Sequence, residues 1–275
     1  SPVSRMISPG IVPRFGGRCR SLAFAGGPAH PRHDRIPHGG PQVSATTLPQ
    51  FNADGLATFH NSEFLSDPRF VAAYRFGMQV GALRRIELHV EWRAWIALWA
   101  ADQALLVPGD FVECGVHTGI LSGTVAHWTG FARRADRTFW LYDTFDGLPE
   151  AQLSDDERRI GLAGYNAEYR GGGDGLADIR AKFRGFPNVR IVPGPVPDTL
   201  AEGPDRVAYL SLDMNMAFPE IAAAEHFWPK LSPGGIVLLD DYNWAAHVNQ
   251  KRAFDEFAAA RGLRVLGLPT GQGML

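Results

Sequence analysis

A doubly wound α/β protein with a mainly parallel sheet is predicted by three features of this sequence. Short apolar runs rich in Val, Ile and Leu alternate with helical or loop segments from residue 110 onward. One run, Asp110 to Cys114, opens onto a glycine turn and then a helical stretch, as the ligand-binding entrance of such a sheet does. Two others, Val207 to Asp213 and Gly235 to Asp241, close on acids. All are short and bounded by turn signals, the mark of strands buried on both faces.

Taken in order, the first 58 residues are different material from the rest. They hold eight Pro, eight Gly and six Arg against two acids, without apolar periodicity. Such a segment offers too little apolar surface to offset the entropy of ordering it, so 1–58 is expected to be a disordered, dispensable extension and 59–275 the folded domain. A targeting peptide is the other reading of an arginine-rich, acid-poor start. The segment lacks both the continuous apolar stretch of a secretory signal and the amphipathic pattern of a transit peptide. Order is expected from Asp67-Pro68, a helix cap followed by proline at the first helical position, with Phe70, Val71, Tyr74 and Met78 on one face. A second helix is expected from Glu91 to Leu105. Its Trp92, Trp95 and Trp99 read as core packing ahead of a ligand platform.

Beyond the first core strand, a helix is expected from Ile120 to Gly130, and strands near 139–143, 189–192, 207–212 and 235–239. A further helix runs from Pro219 to near Trp228, and the pieces 264–268 and 271–275 read as a closing antiparallel hairpin. Residues 146–178 form a polar, glycine-rich insertion that includes the charge run Asp155 to Arg159. Loops this long in compact domains act as lids, so a mobile acceptor cover is expected, with the charge run on its solvated surface.

The glycine turn discriminates between cofactors. A dinucleotide fingerprint needs G-x-G-x-x-G to seat a pyrophosphate, whereas this chain has Gly115 and Gly119 with His117 between them and Glu113 two residues ahead. S-adenosylmethionine carries an ammonium and no phosphate, which suits an acid beside the turn. The next strand ends in Asp143, 28 residues beyond Gly115, where a ribose diol is hydrogen-bonded in folds of this kind. Glu113, Gly115, His117, Gly119 and Asp143 are therefore the expected cofactor residues.

The acids at the other two strand ends point to a metal. If those strands are neighbours, Asp213, Asp240 and Asp241 converge at one sheet edge, and like charges held close cannot all stay ionised without a cation between them. A hard divalent ion with oxygen ligands is the natural neutraliser. A solvated strand-end turn is the alternative for Asp240-Asp241 alone.

Three blocks, Val107 to Val116, Leu141 to Pro149 and Trp228 to Tyr242, resemble the macrocin O-methyltransferase family, S-adenosylmethionine-dependent sugar O-methyltransferases of natural-product pathways. The likeness runs from about Asp67 to Leu275. It implies a seven-stranded class I methyltransferase sheet, Rossmann-like, with Mg2+ or a similar ion on the acids at Asp213, Asp240 and Asp241 and a lid over the acceptor. Asp213 is counted with both the metal and the cofactor set. Three positions depart from the family pattern: Asn215 stands where a second acid is common, Ala217 where a Tyr is common and His117 where a Trp is common.

A sugar hydroxyl is a poor nucleophile at neutral pH, so a metal to polarise it and a base to take its proton are expected. His247, six residues past the acid pair, is the candidate base, with His117 as the other candidate and a capping histidine as the plain reading of His247. A catechol-type phenol methyltransferase and a non-catalytic cofactor-binding relative are the alternative functions. The chain has 275 residues, 45% hydrophobic and 20% charged, with a net charge of −2, which argues against an electrostatic nucleic-acid binder. Cys19 and Cys114 make neither a disulfide framework nor a zinc site, so a cytoplasmic setting is expected. No run approaches the roughly 18 apolar residues of a membrane span. The expected partner is a hydroxylated small molecule that carries a sugar, with homo-oligomerisation left open.

Overall fold

In the computed structural model of the protein, residues 48–79, 88–170 and 175–275 are described. They begin with a hairpin of β1 (Phe51–Ala53) and β2 (Leu56–Thr58), followed by helices α1 (Pro68–Gly77) and α2 (Glu91–Ala104). The alternating part contains β3 (Asp110–Cys114), α3 (Ile120–Trp128), β4 (Phe139–Asp143), α4 (Asp155–Arg159), α5 (Asn166–Arg170), α6 (Gly175–Lys182), β5 (Val189–Pro193), β6 (Val207–Leu212), α7 (Ala217–Phe227) and β7 (Leu231–Leu239). Helix α8 (Val248–Ala259) and a hairpin of β8 (Leu266–Gly267) and β9 (Gly273–Met274) complete the chain.

Seven strands form one sheet in the order β5-β4-β3-β6-β7-β9-β8. The first five are parallel; β9 pairs antiparallel with both β7 and β8. This is the doubly wound sheet with a closing hairpin that the residue pattern predicts. Its period-2 alternation sorts the core into two layers. Phe111, Tyr209, Ile236 and Leu238 face α1, α2 and α3, while Val112, Leu210, Val237 and Leu239 face α7 and α8. Trp95 stacks on Phe64 with centroids 4.7 Å apart, so the aromatic stripe of α2 is core there, although Trp99 is half exposed. Asp67 caps α1 as expected, its carboxylate accepting from the Arg69 N–H at 2.8 Å, a contact worth about 1 kcal/mol.

Strand order reverses between β3 and β6, and register aligns their ends. Cys114 pairs with Leu212, and Leu212 with Leu239, so Gly115, Asp213 and Asp240 leave the sheet side by side. Gly115, at φ +88°, is required here: a Cβ would lie 1.8 Å from the Asp213 carbonyl oxygen.

Three expectations need correction. Of the extension expected at 1–58, residues 1–47 lie outside the described residues, but 51–58 is a hairpin whose Phe51 pairs with Thr58. Asp54 and Gly55, both at positive φ, make its two-residue turn, a hairpin signal that the surrounding Pro and Gly diluted. Strand β7 starts at Leu231 rather than 235, with a register shift around Gly234 at φ +84°. The expected cover, 146–178, contains short helices, and its Leu148, Leu153 and Leu162 form a small apolar cluster with Met216 from outside the segment; residues 171–174 lie outside the described residues. Its charge run is not all solvated. Glu157 is buried: one oxygen accepts from the Ser154 N–H (2.7 Å) and hydroxyl (2.8 Å), the other from the Ala217 N–H (2.8 Å).

Candidate functional site

The strand ends bring the three acids together. Oxygens of Asp213, Asp240 and Asp241 all lie within 4.8 Å of one another. The backbone fixes the approach, since the Asp213 N–H donates to Cys114 and the Asp240 N–H to Leu212, each at 2.9 Å. Asp240 and Asp241 are buried and Asp213 is partly open to the cleft. Burial first, then the neighbouring carboxylates, pushes Asp213 well above the usual carboxylate range and Asp241 up to about 6.

The three carboxylates are not served equally. Asp240 accepts from Arg93 on Oδ2 and from the Gln272 side chain on Oδ1 at 2.9 Å. Asp241 Oδ2 is buried with no hydrogen-bond partner among the described residues. A buried carboxylate oxygen without a donor is costly, and a hard cation bound there would remove the cost. The residues present thus fit a divalent ion. Behind them, Glu220 is buried and its carboxyl is pushed up to about 8, by burial first and by Asp241 second. Its Oε1 accepts from the Met214 N–H at 2.9 Å and from Gln250 at 2.8 Å.

One strand away, Asp143 is held differently. Its Oδ2 accepts the N–H groups of Val116 (2.6 Å) and His117 (2.7 Å), and its Oδ1 that of Phe145 (2.6 Å). Asp143 is thereby the clasp of the glycine turn, whose curl needs positive φ at Gly115, His117 and Gly119. Lys182 braces the same turn from behind, donating to the carbonyls of Thr118 (2.6 Å), Gly119 (3.1 Å) and Gly77 (2.8 Å).

An open cleft runs from this turn to the acidic cluster. Gly115, His117, Asp143, Asp213, Asp240 and Asp241 line it, together with Arg93 and, from the expected cover, Leu148, Gln152 and Tyr169. Tyr169 meets the His117 ring edge-on at 4.8 Å and accepts a hydrogen bond from Asn215 at 3.4 Å. Asn215 sits at φ +59°, a backbone state that Asn tolerates better than most residues, which is a local reason for an amide there.

Three candidates fall outside the cleft wall. Glu113, expected at the cofactor ammonium, is buried behind the turn, where burial and then Asp240 push its carboxyl well above the usual range. Strand alternation explains this: the side chain before Cys114 points into the α3 layer. Gly119 caps α3 and packs toward Ile179 instead of facing the cleft. His247 caps α8, its Nδ1 against Gln250 Oε1. Arg93, Asp54, Gln272 and Glu220 were missed by sequence reasoning. Only Asp54, in its Asp-Gly turn, carried a local signal.

The chain matches known proteins in the region that builds this cleft. The family model for macrocin-O-methyltransferase (TylF) matches residues 97–265. The mycinamicin III 3''-O-methyltransferase of Micromonospora griseorubida is 31% identical over 147 residues, covering 50% of this chain and 56% of that protein. The 8-demethyl-8-(2,3-dimethoxy-alpha-L-rhamnosyl)-tetracenomycin-C 4'-O-methyltransferase of Streptomyces olivaceus is 34% identical over 143 residues, covering 50% of this chain and 54% of that one. The match thus spans little more than half the length of these relatives. Among solved structures, the O-methyltransferase NovP superposes with a TM-score of 0.57 at 26% identity, over 66% of this chain and 78% of NovP.

Proposed function

The chain belongs to the macrocin-O-methyltransferase (TylF) family, and from that premise we propose that it methylates a hydroxyl of a sugar-bearing small molecule with S-adenosylmethionine as donor and a divalent cation, Mg2+ or similar, as helper. The single observation that carries the reading is the pairing of two unlike acid sites in one cleft: a carboxylate clasped by backbone N–H groups beside a glycine turn, and a carboxylate cluster with an orphaned oxygen at its floor.

Each residue has a place in this reading. Gly115 and His117 shape the turn against which the donor would lie, and Asp143, immobilised by three backbone donors, presents carboxylate lone pairs of fixed direction to a ribose diol. Asp213, Asp240 and Asp241 would hold the cation, which when bound supplies positive charge that eases loss of a proton from the acceptor hydroxyl. His247, outside the cleft wall but near enough for its charge to bear on Asp241, is the proposed base, reaching the acceptor hydroxyl through one water. Gln250 gives its amide hydrogen to Glu220, so its carbonyl faces His247 Nδ1, which must donate; Nε2 is then left with its lone pair. The segment 146–178 would cover the acceptor, with Tyr169 bridging it to the turn. Among the described residues no helix is long and apolar enough to cross a membrane. A cytoplasmic setting, in keeping with the free thiol of the buried Cys114, belongs to the same proposal.

The test is turnover of S-adenosylmethionine against a panel of glycosylated acceptors and of catechols, with and without chelator, read by mass spectrometry. Methylation of sugar hydroxyls that stops in chelator is the expected result. Preference for catechols would move the acceptor class, and full activity in chelator would remove the cation from the mechanism.

A further inference from the structure

The acids of the cleft floor have a protein counter-charge, and it comes from outside the alternating sheet. Arg93, in the first turn of α2, donates through Nε to Asp54 Oδ2 at 2.7 Å and through Nη2 to Asp54 Oδ1 at 2.9 Å. Its third nitrogen, Nη1, reaches Asp240 Oδ2. One planar guanidinium is thus shared between the acidic cluster and the β1–β2 turn. Its charge also bears on Asp213 and Asp241.

The turn itself is built onto the site. A Cβ on Gly55 would lie 2.8 Å from the Trp244 ring, so the hairpin tip packs against the residue three past Asp241; Arg93 lies over the same ring, 5.7 Å from its centroid. Asp54 has no other ion-pair partner among the described residues.

We propose that Arg93 is the built-in counter-ion of the acidic cluster, and that the β1–β2 hairpin, through Asp54, sets how strongly this cluster takes a divalent cation. The inference rests on the cation reading above. An arginine cannot shed its charge, so a cation arriving at Asp213, Asp240 and Asp241 meets a fixed positive neighbour. Asp54 is the second carboxylate onto which that neighbour is already forked, so the guanidinium can release Asp240 without losing its partner. Asp54 also adds negative charge to the cluster's surroundings. Removing Arg93 therefore strengthens cation binding, and neutralising Asp54 weakens it.

Calorimetric titration of the full chain with Mn2+ tests this. Arg93→Met is expected to bind Mn2+ about tenfold more tightly than the wild type, or better, and Asp54→Asn several-fold more weakly; Arg93→Lys, which keeps the charge, should stay near the wild type. The opposite signs matter, because a merely structural role would weaken binding in both. In chelator, Arg93→Met should melt below the wild type and recover on adding Mn2+, which reports on folding separately from affinity. If the wild type binds Mn2+ but the two variants weaken together or do not change, the counter-ion role falls while the cation site stands. If no version binds Mn2+, the cation reading and this inference fail together.

Discussion

Asp143 and Asp241 are carboxylates at strand ends of the same cleft, yet the chain treats them in opposite ways. Three backbone N–H groups at 2.6 to 2.7 Å anchor Asp143, whereas Asp241 keeps a buried oxygen with no donor among the described residues. An anchored carboxylate is a fixed part of the backbone's shape. An orphaned one raises the energy of the fold until a ligand answers it. The two sites are therefore expected to respond differently to substitution.

The largest effect should come from Asp241→Asn. The amide removes a cation ligand and relieves like-charge repulsion at once, so methyl transfer is expected to drop by about a hundredfold or more while melting temperature holds or rises. Steady-state kinetics beside a thermal melt in chelator would show it. A variant that loses stability along with activity would mean that Asp241 serves the fold, and the contrast with Asp143 would collapse.

Glu220→Gln sharpens the contrast from behind the cluster. Its carboxyl lies at about 8 against an ordinary 4.5, so the folded chain holds this proton to higher pH than the unfolded chain does. Stability from this group is accordingly intact below about 4.5 and lost as pH rises toward 8. Gln keeps the oxygen that accepts from Met214 and Gln250 but cannot ionise. Urea denaturation in chelator should show Gln more stable by a few kcal/mol at pH 9, with little difference at pH 5.

How far the sequence reveals these sites depends on how local their signals are. Asp213, Asp240 and Asp241 each end an apolar run, and the parallel reading of those runs is enough to put them on one edge. Glu113 carried the same kind of local cue, an acid beside a glycine turn, but the face of a strand is a tertiary fact and this side chain went to the core. Arg93 had no cue, since an arginine among tryptophans on a helix reads as a solvated charge and its partner Asp240 is 147 residues away. The hairpin at 51–58 was hidden by composition: averaging over a Pro- and Gly-rich stretch concealed one Asp-Gly turn. A chain cut before Phe59 would lose Asp54, so the expectation that 1–58 is dispensable does not extend to its last eight residues.

Asp143→Ala addresses the other side of the comparison. Three N–H groups lose their acceptor, two of them in the turn, which should cost about 2 to 4 kcal/mol and loosen cofactor binding in step. Both would be seen by melting the protein with and without S-adenosylhomocysteine. A variant of normal stability that still fails to bind cofactor would make Asp143 a ligand contact first and a clasp second.

The smallest expected effect lies on the covering segment. Glu157 ties α4 to the first residue of α7, two positions past Asn215, through its bond from the Ala217 N–H, and closes a capping box with Ser154. Glu157→Gln keeps one acceptor oxygen for the two Ser154 donors but sets an amide NH2 against the Ala217 N–H, so α4 should loosen from α7 without unfolding. Leu148 and Tyr169, which pack together in the apolar cluster of this segment, face the cleft but supply neither the clasp nor the acids. Acceptor KM is therefore expected to rise several-fold, with kcat and cofactor affinity unchanged. A fall in kcat comparable to that of Asp241→Asn would show that the cover and the cluster act as one unit, and the division of the cleft into a strand-end floor and an adjustable wall would have to be abandoned.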